Sequence, residues 1–397
     1  MLSLSMIVRD EAERLDDCLA SVAGFVDELV VVDTGSQDAS MEIARRHGAT
    51  VHQIAWPGDF APARNQALDR VNGDWVLVLD ADEQLLPEAR APLRALMALP
   101  DVLMVNLLRQ ERGAEQSPYS SVSRLFRNHP AIRWSRPYHA MVDDSVALLV
   151  AREPSWRVAE CPQPALVHDG YRPELLAAGD KAKRLRLAME QELRDHPFDP
   201  YASAKLGGLE ISEGRRQQGM ALLEAGLAHC PEQAHPERYE LLLHLAMAEA
   251  NANPERAIAL YREALAIPMN PRLSLGAQLN LAALLLRQGQ AEAALALAET
   301  ATRRAPEVVL GWVNLGLIRR RQGDLAGAIE AYGQALRLSP DQAETHQNLA
   351  AAQLLGGNID GARSHFGQAI RLLRYQGRSR EAEQLLRQAG AMVKLDL

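Results

Sequence analysis

The sequence predicts two domains of different fold class, an α/β domain with a mostly parallel sheet followed by an all-α solenoid. Over residues 2–79, short apolar runs alternate with amphipathic stretches, which gives the β-α-β-α-β-α-β order of a parallel sheet. The fourth apolar run ends in two aspartates, Asp80 and Asp82. From about residue 200 onward, a helix-turn-helix pattern recurs every 34 residues, which indicates a repeat protein.

The elements of the first domain follow from this alternation. The fourth run is apolar throughout, as is typical of a strand buried on both faces. A turn rich in Gly, Asp and Ser at 33–38 suits a strand-to-helix corner, and Gly48 is expected just after a helix end. Because the carboxyl ends of parallel strands meet at one sheet edge, Asp33 and the D-x-D pair are expected there. The predicted strands are 2–8, 28–32, 49–54 and 75–79, and the predicted helices are 12–23, 41–48 and 60–70.

Two carboxylates at the tip of a buried strand predict a site for a metal-bound phosphate. Hard divalent cations such as Mn²⁺ or Mg²⁺ take oxygen ligands, and open α/β sheets bind ligands at this edge. An acidic surface turn also explains a D-x-D on its own, so the upstream strand ends decide in favour of a binding site. Asp82 is the candidate for direct coordination of the cation. Arg64 in the third helix is the candidate for a fixed positive charge on a diphosphate.

Four motifs follow one another in the first domain, and they are S-M-I-V-R-D-E, E-L-V-V-V-D-T-G-S-Q-D, F-A-P-A-R-N-Q-A-L and D-W-V-L-V-L-D-A-D-E. Together they resemble the nucleotide-sugar-dependent glycosyltransferases of family 2, which have the GT-A fold. The subset they are most similar to includes lipopolysaccharide-core β-glucosyltransferases and enzymes that append tetratricopeptide repeats. The resemblance is dense over residues 2–90 and patchier to 172, where S-R-L-F-R-N, I-R-W and V-H-D-G-Y fit the same subset.

The resemblance implies an inverting, metal-dependent transfer from a nucleotide sugar, with a UDP-linked donor expected on family grounds alone. It implies that Asp33 receives the base or ribose, and that Asp80 reaches the ribose hydroxyls or the metal through water. His168 resembles the histidine that completes the metal shell, so the implied metal set is Asp82, Asp80 and His168. The implied donor-binding residues are Val8, Arg9, Glu11, Asp33, Gly35, Ser36, Arg64, Asn65 and Asp80.

The catalytic base is the least defined part of the predicted site. Inverting transfer needs a carboxylate to take the acceptor's proton, and the relatives carry it in an acidic E-D pair that this chain lacks. His139 aligns with the histidine of a V-H-E segment in the relatives. In this chain Ala140 stands where the relatives have the glutamate. Asp143 and Asp144 are the nearest acidic residues after His139, and either is a candidate base or a solvated turn residue.

The repeats resemble the tetratricopeptide pattern, with five units expected between about 200 and 376 and a closing helix at 379–393. Such units stack into a superhelix with a concave groove. The 34-residue shift relates Asn280, Asn314 and Asn348, which predicts three amides on the inner helices in reach of an extended peptide. Asparagine is also common at this position, so a general scaffold is the alternative. The residues that mark one unit are Trp312, Leu315, Gly316, Ala328, Tyr332, Ala335 and Pro340.

Composition excludes several classes of protein. A net charge of −8 without a basic stripe argues against a nucleic-acid partner, and three widely spaced cysteines fit a reducing cytoplasm. No signal peptide or membrane-spanning run is expected, although a lipid-linked acceptor is compatible with peripheral membrane contact. The predicted domains are a GT-A domain at 1–172, a linking helix at 173–199, repeats at 200–378 and a capping helix at 379–397.

The sequence therefore predicts a metal-dependent glycosyltransferase whose repeats recruit the acceptor or a partner. The acceptor is either a protein or peptide guided by the groove, or a cell-envelope glycan. A non-catalytic interaction scaffold built on a degenerate transferase domain is the rival class. Ala140 and the missing E-D pair favour that rival, whereas the intact D-x-D and the Arg64-Asn65 pair favour catalysis.

Overall fold

The computed structural model describes residues 1–114, 118–136, 140–169 and 181–395. It divides into two units, Met1–Pro197 and Phe198–Leu397. The division falls inside the segment 173–199 that the sequence predicts as a linking helix. Each unit has its own hydrophobic core.

The first unit is built on an eight-stranded mixed sheet. The strand order is β3-β2-β1-β4-β7-β6-β8-β5. The four predicted strands are present as β1 to β4 and pair in parallel, with β1 at the centre of the group. The strands are β1 (Leu2–Val8), β2 (Glu28–Asp33), β3 (Thr50–Gln53), β4 (Trp75–Val78), β5 (Glu83–Leu85), β6 (Val102–Glu111), β7 (Tyr119–Arg127) and β8 (Arg157–His168).

The other half of the sheet makes it mixed rather than parallel throughout. β7 pairs antiparallel with both β4 and β6, and β5 pairs antiparallel with β8, whereas β6 and β8 are parallel. Four of the seven described pairings are therefore parallel. The predicted strands end with β4, so the strands of this second half were not predicted, although β6 begins with a further apolar run, V-L-M-V-N-L-L.

The sheet is covered on both faces, as the apolar character of β4 requires. Val76 packs with Phe126 and Trp134 on one face, and Leu77 packs with Leu4 on the other, because successive side chains of a strand point to opposite faces. The helices of this unit are α1 (Ala12–Val22), α2 (Ser40–Arg46), α3 (Phe60–Leu68), α4 (Arg90–Met97), α5 (Asp143–Arg152) and α6 (Lys181–Asp195), with a short 3-10 turn at Pro87–Ala89.

The second unit is a run of antiparallel helix pairs, and it has the tetratricopeptide fold that the period predicts. Five pairs follow one another in the described residues, and a final helix closes the series. The helices are α7 (Pro200–Ser212), α8 (Arg216–His229), α9 (His235–Glu249), α10 (Pro254–Ala266), α11 (Leu275–Arg287), α12 (Ala291–Arg304), α13 (Val309–Arg321), α14 (Leu325–Leu338), α15 (Ala343–Leu355), α16 (Ile359–Tyr375) and α17 (Ser379–Gly390).

The fourth pair shows why the repeat pattern demands a small residue. A Cβ added to Gly316 of α13 would lie 2.6 Å from the ring of Tyr332 on α14, which is fully buried. We therefore expect Gly316→Ala to lower the free energy of unfolding by about 1–3 kcal/mol through overpacking, despite the better helix propensity of alanine. For Gly333, in the middle of α14, the nearest described atom to an added Cβ is a flexible arginine tip at 4.0 Å.

Gly333→Ala is the matched control and should be neutral or raise stability by up to about 1 kcal/mol. Urea unfolding followed by circular dichroism would measure both variants. Equal stability changes in the two variants would show that the contact with Tyr332 does not constrain this repeat.

No helix within the described ranges is both long enough and apolar enough to cross a bilayer.

Candidate functional site

The carboxyl ends of β1 and β2 are bonded to each other. Val8 pairs in register with Asp33, and the Asp10 amide donates to Ser36 Oγ at 3.0 Å. The Gln37 amide donates in turn to the Asp10 carboxylate at 2.6 Å. Asp10 has φ +54°, in the left-handed region, so the turn after β1 is held in a sharp conformation by these bonds.

Asp33 is fully buried and its carboxylate is held by its own turn. It accepts hydrogen bonds from the amides of Gly35 and Ser36 at 3.1 and 3.2 Å. Gly35 has φ +113°, which a residue with a side chain rarely adopts. The neighbouring Arg9 side chain is exposed and lies 3.9 Å from Asp10. The predicted contact of Asp33 with base or ribose stays a prediction.

Asp80, just beyond β4, lies between two arginines. Arg64 of α3 donates to Oδ1 and Arg124 of β7 donates to Oδ2, each at 2.6 Å. Burial opposes ionisation, but Arg124 and Arg64 outweigh it and hold the pKa of the Asp80 carboxyl well below its usual range. Asp80 is therefore ionised, and each of its oxygens accepts a bond from a guanidinium group.

Asp82 lies beside His168 at the end of β8. His168 Nε2 is 3.2 Å from Asp82, and Nδ1 is 2.5 Å from Glu111 Oε2. Burial alone would lower the pKa of His168, but its hydrogen bonds with Asp82 and Glu111 raise that pKa to about 9. His168 is thus a cation between two carboxylates in this arrangement.

Three largely buried charged residues, Glu111, Arg109 and Glu83, connect His168 to Asp80. Arg109 Nε donates to Glu111 at 2.9 Å, and Arg109 Nη1 donates to Glu83 at 2.5 Å. The other oxygen of Glu83 accepts from the Asp80 amide at 2.8 Å. The contacts that begin at Asp82 therefore end at Asp80, which fixes the two aspartates of the D-x-D through side chains from three strands.

The end of β1 reaches the D-x-D through α1. Arg14 contacts Glu11 and lies 3.7 Å from Asp82. Burial raises the pKa of Glu11, and Arg14 opposes that rise. The structure thus brings residues from the ends of β1, β2 and β4 to one sheet edge, where the sequence predicts them.

The predicted metal set is only partly arranged to hold a cation. Asp82 and His168 lie together, whereas the oxygens of Asp80 are bonded to arginines. Within residues 1–114, 118–136, 140–169 and 181–395, no group of three or more His, Cys, Asp or Glu side chains is placed to hold a metal. Mg²⁺ sites often use one or two protein ligands together with substrate phosphates and water. Asp82 and His168 fit such a site once His168 loses its proton.

A β-bulge aims two consecutive side chains of β7 toward the site. The pairing of β6 with β7 shifts between Val105 and Leu107, so that Ser123 and Arg124 of β7 face the single residue Asn106 of β6. Bulges of this kind re-aim side chains and interrupt the strict alternation of a strand.

The bulge positions one of the two candidate bases. Ser123 Oγ donates to Asp143 at 2.7 Å, while its neighbour Arg124 donates to Asp80. Burial raises the pKa of Asp143, and the bond from Ser123 only partly offsets the rise. A half-buried carboxyl with a raised pKa is suited to accepting and releasing a proton.

The second candidate base, Asp144, is committed to an ion pair. Arg136 donates to both of its oxygens at 3.0 and 3.1 Å, and Ser135 Oγ donates at 2.6 Å. Burial raises the pKa of Asp144, but these bonds outweigh burial and lower it. This geometry indicates a structural role for Asp144.

Two further predicted residues have different outcomes. Asn65 donates to the carbonyl of Trp134 at 3.0 Å and accepts from the Trp134 amide at 2.9 Å, so its amide group fixes the backbone of that residue. Its predicted contact with the donor stays a prediction. His139 lies outside the described residues.

Sequence reasoning missed the partners of the aspartates. The S-R-L-F-R-N segment contains Ser123 and Arg124. Their contacts were not predicted, because a bulge depends on the pairing of two strands and is not visible in the sequence of one. Glu83 follows the D-x-D directly, and Arg109 and Glu111 lie at the polar end of β6, a strand that was not predicted.

The three asparagines predicted to bind a peptide, one in each of three repeats, differ in burial and in hydrogen bonding. Asn314 is buried and donates to the carbonyl of Leu279 at 3.3 Å, and Asn280 bonds to Tyr261. Asn348 is half-buried. The first two amides thus contribute to contacts within the solenoid, and their role toward a peptide stays a prediction.

A cavity of about 600 Å³ lies along the inner helices α11, α13 and α15. Its apolar wall includes Leu286, Leu317 and the exposed Leu355. Arg320 and Arg321 line the same cavity, and in the described part of the chain neither makes an ion pair or a side-chain hydrogen bond. Arg287, which donates to Asn251, lines the cavity as well, so the cavity combines an apolar wall with three positive charges.

Comparisons with known proteins assign the two units to known domain types. Residues 3–158 match the glycosyl transferase family 2 model, and residues 279–343 and 319–374 match two tetratricopeptide repeat models. A TPR repeat-containing protein of Synechococcus elongatus is 46% identical over 309 residues, which are 77% of this chain and 76% of that protein.

Relatives named as glycosyltransferases are similar to smaller shares of the chain. An uncharacterized glycosyltransferase of Rickettsia felis is 28% identical over 154 residues, 36% of this chain and 54% of its own. The prophage-derived glycosyltransferase SunS of Bacillus subtilis is 23% identical over 203 residues, 50% of this chain and 46% of its own. The chain spans about half the length of these two relatives.

Two of the similar solved structures each cover about half of the chain. BtubC from P. vanneervenii is 18% identical with a TM-score of 0.44, over 49% of this chain and 89% of that one. MamA from Desulfovibrio magneticus RS-1 is 24% identical with a TM-score of 0.36, over 50% of this chain and 99% of that one.

Proposed function

We propose that this chain, which belongs to the proteins that join a glycosyl transferase family 2 domain to tetratricopeptide repeats, transfers a sugar from a nucleotide-sugar donor with inversion. The observation that carries the proposal is the convergence of the three strand ends on the D-x-D. Arg14 contacts both Glu11 and Asp82 there, and Arg64 and Arg124 hold Asp80. A degenerate platform has no need to maintain such a set of buried charges.

The proposed donor is a UDP-sugar that binds across these strand ends. The buried turn at Asp33 faces the edge where β1 and β2 end, which is the usual ligand position of an open α/β sheet. Asp82 and His168 would hold a divalent cation, Mn²⁺ or Mg²⁺. Such a cation neutralises charge on the departing diphosphate.

We assign the role of base to Asp143. The acceptor hydroxyl gives its proton to Asp143 Oδ while its oxygen bonds to the anomeric carbon, and the bond from that carbon to the diphosphate oxygen breaks on the opposite face. Ser123 orients the carboxylate through its 2.7 Å hydrogen bond. The raised pKa of Asp143 supports this role, whereas the ion pair of Asp144 with Arg136 disfavours Asp144.

A donor panel tests the proposed activity. Release of nucleoside diphosphate from UDP-, GDP- and TDP-sugars, with Mn²⁺ or with EDTA, should show turnover or slow hydrolysis with at least one donor. Mass spectrometry of co-purifying molecules would then search for the acceptor. Binding of a donor without release of diphosphate under any condition would support the rival function, a non-catalytic scaffold.

We propose further that the acceptor is a polypeptide, and that the cavity of the repeats binds a segment rich in acidic and apolar side chains. Leu286, Leu317 and Leu355 offer apolar contacts, and Arg320 and Arg321 offer two cations that no described side chain pairs. Charge complementarity therefore favours a carboxylate-bearing segment over a neutral glycan. An envelope glycan is the alternative acceptor, and mass spectrometry of the co-purifying molecules would reveal it.

Replacing Arg320 and Arg321 together by glutamine should weaken binding of a fluorescein-labelled leucine-glutamate peptide about tenfold, because charge-assisted hydrogen bonds are lost. Fluorescence anisotropy at low salt would measure the affinity. Arg337→Gln is the matched control, since Arg337 bonds to Gln334 of its own helix and is exposed. Equal binding by the double variant, or tighter binding of a leucine-lysine peptide, would contradict an acidic partner.

A further inference from the structure

The two arginines that hold Asp80 each use one nitrogen and leave another without a partner. Arg64 Nη2 and Arg124 Nη2 donate to the carboxylate, whereas Nη1 of each side chain is buried and has no hydrogen-bond partner among the described residues. Arg64 as a whole is only 7% exposed. Buried donors of charged groups are rarely left unsatisfied in native proteins, because the loss of hydration is costly.

The surroundings keep both guanidinium groups in place. The centre of the Arg64 guanidinium lies 4.8 Å from the ring centroid of Trp134, and that of Arg124 lies 5.9 Å from the same ring. Asn65 holds the backbone of Trp134 by two hydrogen bonds. Asn65 therefore positions the aromatic surface on which the two arginines lie.

The formal charges of this network balance, because Arg64, Arg109 and Arg124 face Asp80, Glu83 and Glu111. What an anion would satisfy is therefore the two unpaired Nη1 donors. Two cations share the single carboxylate of Asp80, and the guanidinium of Arg124 is 3.9 Å from Glu83. Glu83 itself is already bonded to Arg109 and to the Asp80 amide. The β-bulge brings Arg124 to this point together with Ser123, so the second cation is placed here by a local departure from regular strand geometry.

We propose that Arg64 and Arg124 form a two-arginine site for a phosphate group of the donor's diphosphate, and that Asp80 positions these arginines rather than binding the metal. The identity of the ligand rests on the proposed function. Planar guanidinium groups bind phosphate oxygens through paired donors, and their charge does not depend on a bound cation. Arg64 and Arg124 would then hold one phosphate of the diphosphate, and Asp82 would hold the cation that neutralises the other.

Calorimetry with inorganic pyrophosphate, in EDTA and in Mn²⁺, tests the site without the need for turnover. The intact chain should bind pyrophosphate in EDTA, and Arg124→Lys and Arg64→Lys should each weaken that binding about tenfold or more. Lysine keeps the charge and can donate one bond to Asp80, so the fold should be retained. Arg157→Gln is the control, since Arg157 makes a 2.6 Å pair with Asp101 that is half exposed.

Asp82→Asn completes the design, because it should remove only the gain in affinity that Mn²⁺ provides. Lysine variants with unchanged affinity in EDTA would overturn the proposal. If a lysine variant fails to fold, the unfolding temperature of the intact chain decides the question, since pyrophosphate in EDTA must raise it. The absence of any rise would also overturn the arginine site.

The outcome is separable from that of the proposed function. If no donor is ever turned over but the lysine variants lose pyrophosphate, the anion site stands and the transferase activity fails. The opposite result is that donors are turned over and that the lysine variants match the intact chain in pyrophosphate affinity and in donor use. In that case the activity stands and the anion site fails.

Discussion

Replacing Asp143 by asparagine is expected to lower the rate of sugar transfer by about 10²- to 10⁴-fold, because the acceptor's proton then has no base to receive it. Asparagine keeps an oxygen that can accept the bond from Ser123, so the position of the side chain should be retained. Donor binding and pyrophosphate affinity should be unchanged. Initial rates with saturating donor, together with donor affinity by calorimetry, would separate the two effects.

Asp144→Asn is the matched control for this variant. Asp144 is the neighbouring carboxylate, but it is held by Arg136 and Ser135. Its loss should reduce stability and leave transfer within about threefold of normal, as expected for a partly exposed ion pair. A collapse of transfer in Asp144→Asn together with normal transfer in Asp143→Asn would reverse the assignment of the base.

The pH dependence of both transfer and stability follows from the carboxyl group of Asp143. Since burial raises the pKa of Asp143, the folded chain holds this proton more tightly than the unfolded chain. Transfer should therefore fall as the pH is lowered through the raised pKa, where the base becomes protonated. Stability behaves in the opposite sense, because the cost of ionising the buried group appears as the pH rises through that value. Asp143→Asn should consequently be more stable than the intact chain at neutral pH.

The sequence predicted the parallel half of the sheet because its evidence is local. The strand at Leu2–Val8 has its predicted bounds, and the strand at Glu28–Asp33 differs by one residue. Each strand carries its own apolar run, and each turn its own Gly or Asp. The strand Val102–Glu111 begins with an apolar run that carries the same local signal, but it was not predicted. The polar and charged residues of Tyr119–Arg127 obscure any alternation in that strand.

The difference between local signals and contacts distant in sequence also explains which residues of the candidate site were predicted. Asp80 and Asp82 follow a strand and are recognisable from the chain alone, whereas their partners depend on pairings distant in sequence. Arg124 reaches Asp80 across 44 residues, and Glu111 reaches His168 across 57. The consequence is that the sequence indicated where the site lies, and the structure was needed to assign Asp80 to the arginines and Asp82 to the histidine.

Asp82→Asn is the second change with a large expected effect. Asp82 lies 3.2 Å from His168, and among the described arginines the one that approaches it is Arg14, at 3.7 Å. Because its oxygens are not paired with two arginines as those of Asp80 are, Asp82 is the carboxylate that we propose would hold the cation. Removal of its charge should lower kcat/KM in Mn²⁺ by about 10³-fold, since a metal contributes several kcal/mol to a departing anion and about 1.4 kcal/mol corresponds to tenfold in rate.

The comparison of metal conditions makes this prediction specific. In EDTA, where the cation is absent, Asp82→Asn and the intact chain should have the same low rate, because the role proposed for Asp82 in transfer is to hold the metal. Asp101→Asn, at an exposed pair with Arg157, should behave as the intact chain does in both conditions. Manganese titrations of the rate would measure each variant. If Asp82→Asn still responds to Mn²⁺ with the normal half-saturating concentration, the cation binds elsewhere and the division of the diphosphate between Asp82 and the arginine pair is wrong.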